Sequence, residues 1–214
     1  MKVAAIALTL FMSSGSAILV AAQAAPDGMH QHESGSMAMH DHAAGAPVSY
    51  TELKATLEKL ERARQSTAKY KDVRVAESDG YRAIGPDVPG MGLHYVLSAE
   101  QNGFDITKPP ILLYEKDASV PGGYALVGVS YLLNAPEGPD GQPLNAPFPK
   151  SLAVWHRHEN ICVLPDRSTP HGLSEQQCVE KGGHFTGETQ WMVHAWIWKD
   201  SPQGVFSPKN SSVM

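Results

Sequence analysis

From residue 49 onward the pattern of apolar and polar positions divides the chain into a helical opening and a longer stretch of strands. Leu53, Leu57 and Leu60 recur at helical spacing, with Glu58, Glu61, Arg62 and Arg64 off that stripe. An amphipathic helix is predicted, its leucines packed on the domain and its charges in water. Ser49 with Glu52 three residues later is a capping-box start. Helical character is expected to reach Tyr70 and, through Val73 and Ala76, Gly80, where glycine offers a stop.

Beyond Tyr81 the signals change to strands and turns. Residues 93–97 are short and apolar, and residues 111–115 follow Pro109-Pro110. Residues 124–133 form a long apolar run behind Pro121-Gly122-Gly123, whose β-branched and aromatic content predicts a central strand covered on both faces. Pro and Gly fill residues 134–149, a long surface loop. Two more strands are expected over 152–163 and 190–198, separated by a short helix around 174–181. A helix followed by mostly sheet is an α+β layout, an N-terminal helix packed on a largely antiparallel β-sheet.

The first 48 residues read differently. Lys2 precedes a charge-free stretch over 3–25, and Ala22-Gln23-Ala24 offers the small-x-small pattern of a signal-peptidase site. A signal peptide over 1–24 is expected, and with it a periplasmic or secreted location. A membrane anchor is the alternative reading, opposed by Ser13, Ser14, Gly15 and Ser16, which interrupt the apolar run. Residues 25–48 hold Gly, Ala, Ser, Pro, Met and His but almost no large aliphatic groups. Such a segment buries too little apolar area to offset its ordering entropy, so a disordered His/Met-rich tail is expected ahead of a single α+β domain over 49–214. Export in turn predicts a disulfide between Cys162 and Cys178. The competing role for Cys162, a metal ligand beside His158, requires a free thiolate.

Composition changes this picture in one respect. Seventeen Lys and Arg against 22 Asp and Glu, a formal charge of −5 without basic runs, argues against nucleic acid as a partner. After signal removal no membrane association is expected either. The oddity is histidine: four of the ten fall between residues 30 and 42, among Met29-His30-Gln31-His32 and Met37-Ala38-Met39-His40-Asp41-His42. Imidazole suits copper and zinc alike, and thioether is a soft donor that selects Cu(I). Copper is therefore the expected ion, with zinc the alternative, and a low-complexity linker with incidental affinity is the bland reading of the tail.

Within the domain, Trp155-His156-Arg157-His158-Glu159 puts two imidazoles on one face of a strand, because side chains alternate with period two. A second strand places Met192, His194, Trp196 and Trp198 on one side. His94 stands in Gly90-Met91-Gly92-Leu93-His94-Tyr95, with Met91 as a further soft donor. If their strands are neighbours, His94, His156, His158 and His194 converge on one ion; otherwise each is an ordinary core or surface histidine. His171 and His184 lie in loop-like surroundings without ligand spacing. The four tryptophans suit core packing or the wall of an apolar pocket. Glu115 and Glu159 are candidate bases, Glu115 more simply an edge residue facing water. No nucleophile elbow, P-loop, dinucleotide fingerprint or HExxH helix is present. Asn210-Ser211-Ser212 fits a glycosylation sequon of low specificity.

The expected function is an exported metal-binding protein that sequesters copper or passes it to a metal-handling protein, with no turnover. Two alternatives stay open. One is a metal-dependent enzyme with an open coordination position; the other is a metal-free domain whose tryptophans line a groove for a ligand or partner.

Several motifs in order resemble a family of uncharacterised secreted bacterial proteins: AKYKDV from Ala68, Asp79-Gly80-Tyr81, GMGLHYV from Gly90, ILLYE from Ile111, LVGVSYLL from Leu126 and HAWIWKDSPQGVFSPKN from His194. The likeness runs from Tyr50 onward. It implies a single exported domain of bacterial origin and carries no activity, and the tail is not part of it.

Overall fold

The computed structural model of the chain describes residues 47–97, 103–170 and 172–214. The expected signal peptide, the tail donors Met29, His30, His32, Met37, Met39, His40 and His42, and His171 lie outside the described residues.

Ser49 caps the first helix, α1 (Tyr50–Thr67): its hydroxyl accepts from the Glu52 N–H while the Glu52 carboxylate accepts from the Ser49 N–H. The chain then tightens into a 3-10 turn, Ala68–Lys71, and resumes as α2 (Val73–Ser78), capped by the Asp72 side chain. Helical character ends at Ser78, two residues before the left-handed Gly80, and comes in three pieces, the last set off by the extended backbone of Asp72. The leucine stripe is only partly the packed one. Leu60 is buried, whereas Leu53 and Leu57 stay 39% and 57% exposed at the edge of the contact. The buried face is Thr56, Leu60, Ala63 and Thr67. Both threonines can sit there because their hydroxyls donate back to the carbonyls of Glu52 and Ala63, at 2.8 and 2.7 Å, leaving small side chains that let the helix approach the sheet.

Among the described residues seven strands follow: β1 (Tyr81–Val88), β2 (Gly92–Leu97), β3 (Ile111–Lys116), β4 (Tyr124–Leu133), β5 (Glu159–Val163), β6 (His184–Glu188) and β7 (Trp191–Ala195). Five of them make an antiparallel sheet in the order β1-β2-β3-β4-β7, and β5 and β6 pair as a separate ribbon. A third helix, α3 (Glu175–Glu180), connects the ribbon strands. The α+β layout expected from the pattern is the one observed, and β4 occupies an interior position of the sheet with six consecutive buried residues.

Three strand expectations need correction. The stretch 152–163 is not one strand; only β5 is continuous, and His156 makes a single two-way bridge with Met192. The stretch 190–198 ends as a strand at Ala195, because Trp196 N–H turns to Val205 and Ile197 N–H folds back to Ala195. His184 is exposed as expected, but it opens β6 rather than sitting in a loop.

The sheet's two faces are distinct. One carries Leu112, Tyr114, Val129, Tyr131, Val193 and Ala195 into the main core with Leu60, Ala63, Trp155 and Trp191. The other carries Ile111, Leu113, Met192, Trp196 and Val213. Register shifts within β1 and between β3 and β4 mark bulges, which strengthen local twist. Cys162 and Cys178 form the expected disulfide, fully buried, joining β5 to α3. That bond excludes Cys162 as a thiolate ligand. No helix among the described residues is long and apolar enough to cross a membrane.

Candidate metal centre

The second face of the sheet gathers His94, His156, His158 and His194. His94 on β2 pairs across to Leu113 of β3, and Leu113 to Gly128 of β4. Two residues along, Ile111, Ser130 and His194 form a row through β3, β4 and β7. In a flat sheet β2 and β7 would stand three strand spacings apart, about 14 Å. The His94 and His194 rings are nevertheless 5.9 Å apart centre to centre, so the sheet curls toward this face.

His156 enters from beyond β7. Its bridge to Met192 runs in both directions, the His156 N–H donating to the Met192 carbonyl at 3.0 Å and the Met192 N–H to that of His156 at 2.7 Å. This sets its ring 5.3 Å from that of His194, and the His158 ring another 5.3 Å from that of His156. Period-two alternation explains the choice of side: Trp155 goes to the main core, and Arg157 stacks on Trp191 at 4.1 Å while pairing with Glu188 and Glu137. His94, His194, His156 and His158 thus follow one another ring to ring, each in contact with the next. Rings bound to one ion through nitrogen at tetrahedral angles would have centres about 5 Å apart, given metal–nitrogen bonds of about 2.0–2.1 Å. The spacing here is close to that, but among the described residues no group of three or more His, Cys, Asp or Glu already stands in a metal-holding arrangement. The rings are neighbours whose donor atoms have still to turn toward a common point.

Hydrogen bonds orient these rings. His194 Nδ1 lies 2.8 Å from the Pro208 carbonyl, and His156 Nδ1 lies 3.3 Å from that of Val154. A carbonyl only accepts, so each Nδ1 carries the proton and each Nε2 keeps its lone pair. His194 Nε2 is buried without a partner, in a side chain with no exposed surface. His94 makes its own bond to the backbone of Gly92, which favours the protonated ring as a carbonyl acceptor does. Imidazoles that donate one N–H to a backbone carbonyl and present the other nitrogen are typical of metal ligands.

Burial disfavours the charged form of His94, His156 and His194. It pushes His194 down to about 3, with the other three histidines adding repulsion, and His94 down to about 4, with His158 and His156 adding to it. His156 is lowered for the same first reason. Neutral imidazole is the form that coordinates metal.

A C-terminal strap holds the arrangement. Pro208 anchors His194, and the Ser207 carbonyl accepts from the Trp196 indole at 2.7 Å; that indole packs edge-on to His194 at 5.7 Å. Asn210 is fully buried: its N–H donates to the Gly90 carbonyl at 2.8 Å, and its side-chain amide donates to the Lys199 and Asp200 carbonyls. Gly90 returns a bond to Val213. One segment therefore fixes both the turn leading to His94 and the carbonyl that orients His194. The side chain of Asn210 is consumed in this role rather than displayed as a sequon.

Other candidates fall elsewhere. Met192 lies on the histidine face opposite His156, buried, whereas Met91 sits in the β1–β2 turn. Trp198 is on the other side from Trp196, its indole donating to Thr67 on α1. Glu115 is tied to Lys199 at 2.6 Å, away from the role of base, and Glu159 is exposed in β5 opposite Glu188. Sequence reading missed Ser130 and Pro208. Neither carries a motif, and only the register of β4 with β7 and the path of the strap bring them to His194. No protein family, no curated protein and no solved structure matches this chain.

Proposed function

We propose that the protein is an exported metal-binding protein that takes up copper on His94, His156, His158 and His194, for sequestration or for transfer to a metal-handling partner. One observation carries the reading: four imidazoles from three segments lie ring to ring beside one sheet face, and the most buried of them presents an unpartnered Nε2. An orphaned nitrogen in a fully buried ring costs stability unless something fills its lone pair. A transition ion does so without a proton.

Copper is preferred to zinc because Met192 borders the rings and because the chain carries Met29, Met37 and Met39 among His30, His32, His40 and His42. On this reading the tail collects ions and the domain holds them. The disulfide and the signal-like start fit a periplasmic or secreted setting.

Isothermal titration of the chain with Cu(II), and with Cu(I) under reducing, oxygen-free conditions, tests the proposal, in parallel with a chain lacking residues 25–48 and with His194→Ala. Sub-micromolar binding that survives loss of the tail and is lost with His194→Ala is the expected result. Absence of such binding in every form would end the proposal.

A further inference from the structure

Ser130 shares with His194 a feature that no internal contact explains. The two residues are directly opposed in the β4–β7 ladder, so their side chains project from the same face with Cβ atoms about 5 Å apart. Neither has any exposed surface. The Ser130 hydroxyl and the His194 Nε2 are both buried without a hydrogen-bond partner. Ile111 and Leu113 on this face carry no hydrogen-bonding side chain, the Trp196 indole N–H is committed to Ser207, and the neighbouring His94 and His156 rings, 5.9 and 5.3 Å from that of His194, bond neither the nitrogen nor the hydroxyl. Two adjacent buried orphans are rare, because each carries an unrecovered desolvation cost.

We propose that Ser130 anchors a small, exchangeable oxygen ligand, water or hydroxide, on the ion that His194 binds. This inference rests on the metal-binding reading above and goes beyond it in stating that the coordination shell is open. The nitrogen lone pair goes to the metal. The hydroxyl, a donor and an acceptor at once, bonds the non-protein ligand beside it. An ion held by imidazoles with one oxygen position left over is the arrangement found in sites that exchange small ligands. Ser130 is on this account a positioning residue: it touches the exchangeable ligand and not the ion.

The test uses the full chain loaded with one equivalent of Cu(II), titrated with azide as a small-anion probe and followed by the azide-to-copper charge-transfer band, with water-proton relaxation as a second reading. Wild type is expected to show a saturable band and fast-exchanging bound water. Ser130→Thr keeps the hydroxyl and Ser130→Val removes it at nearly the same shape. Val should bind azide about tenfold more weakly than Thr, the size of one lost hydrogen bond, with Cu(II) affinity alike in the two. If the β-branched variants do not fold, Ser130→Ala against wild type makes the same comparison. A chain that binds neither Cu(II) nor Cu(I) refutes the metal-binding reading before any azide is added, and one that binds Cu(I) alone overturns the open-shell assignment. Copper bound with no azide band and no exchanging water means a closed shell, and equal azide affinity with and without the hydroxyl means Ser130 holds only a structural water. Either of those outcomes overturns the assignment while leaving metal binding intact.

Discussion

The Nδ1–H of His194 donates to the carbonyl oxygen of Pro208 at 2.8 Å, and this one bond decides what the rest of the ring can do. With Nδ1 committed, Nε2 is left as a bare, buried lone pair. Replacing His194 by Ala should weaken copper binding by about a hundredfold or more, since loss of an outer-shell partner alone typically costs 10–100-fold. Competition against a chelator of known affinity measures it. An affinity within threefold of wild type would remove His194 from the ligand set.

Acidification should destabilise the metal-free protein well above the range where its carboxylates titrate. The folded state holds His194 at about 3 and His94 at about 4, against 6.5 for an ordinary histidine. Because the folded pKa values are depressed, the unfolded chain binds protons first. The associated stability is complete above about pH 6.5 and is lost as pH falls toward the folded values. His194 alone gives a slope of about 1.4 kcal/mol per pH unit within that window. Urea midpoints between pH 7.5 and 4.5 would show it, and a flat profile would contradict the neutral, buried cluster.

Cu(II) binding should quench tryptophan emission, because the Trp196 indole lies 5.7 Å from the His194 ring. Trp196→Phe should remove much of that quenching while leaving the copper stoichiometry unchanged. Quenching that persists in full in the variant would place the ion elsewhere.

Much of this was legible before any coordinates, and the reasons it stopped where it did are physical. Apolar runs at 111–115 and 124–133 declared themselves because strands buried on both faces need continuous hydrophobicity, and the His156-x-His158 spacing declared a shared face because alternation in an extended chain is local. The meeting of His94 with His194 is not local. It depends on bulges and curl that close about 14 Å of flat sheet to contact, and no residue of either strand encodes that by itself. Leu53 and Leu57 misled for the converse reason: a threonine that returns its hydroxyl to the backbone packs as a small apolar residue, which hydropathy alone hides.

Gly92→Ala should cost about 2 kcal/mol or more and disturb the site. Gly92 has φ +73, and a Cβ there would run into the Tyr114 carbonyl of the neighbouring strand. The same backbone accepts from His94. A lowered melting temperature together with weakened copper binding is the expected pair of results; an unchanged melt would refute the close approach.

Replacing Cys162 and Cys178 together by Ala should remove about 3 kcal/mol, on the entropy of closing a loop between residues 16 apart. For a domain of this size that is roughly 6–12 °C in melting temperature. Copper affinity should fall less than in His194→Ala, because the bridge joins β5 to α3 and does not lie among the rings. Calorimetry and the chelator competition separate the two effects.

The strap from Val205 to Val213 adds a mechanical consequence. Donors that stand a hundred positions apart along the polypeptide hang from a single short piece of backbone, fastened through Asn210 to Gly90 on one side and through Pro208 to His194 on the other. They are tethered to one hinge pin. A disturbance that slackens this piece, even one that touches no imidazole, reaches both rings at once, so grip on an ion would be let go as a unit and not finger by finger.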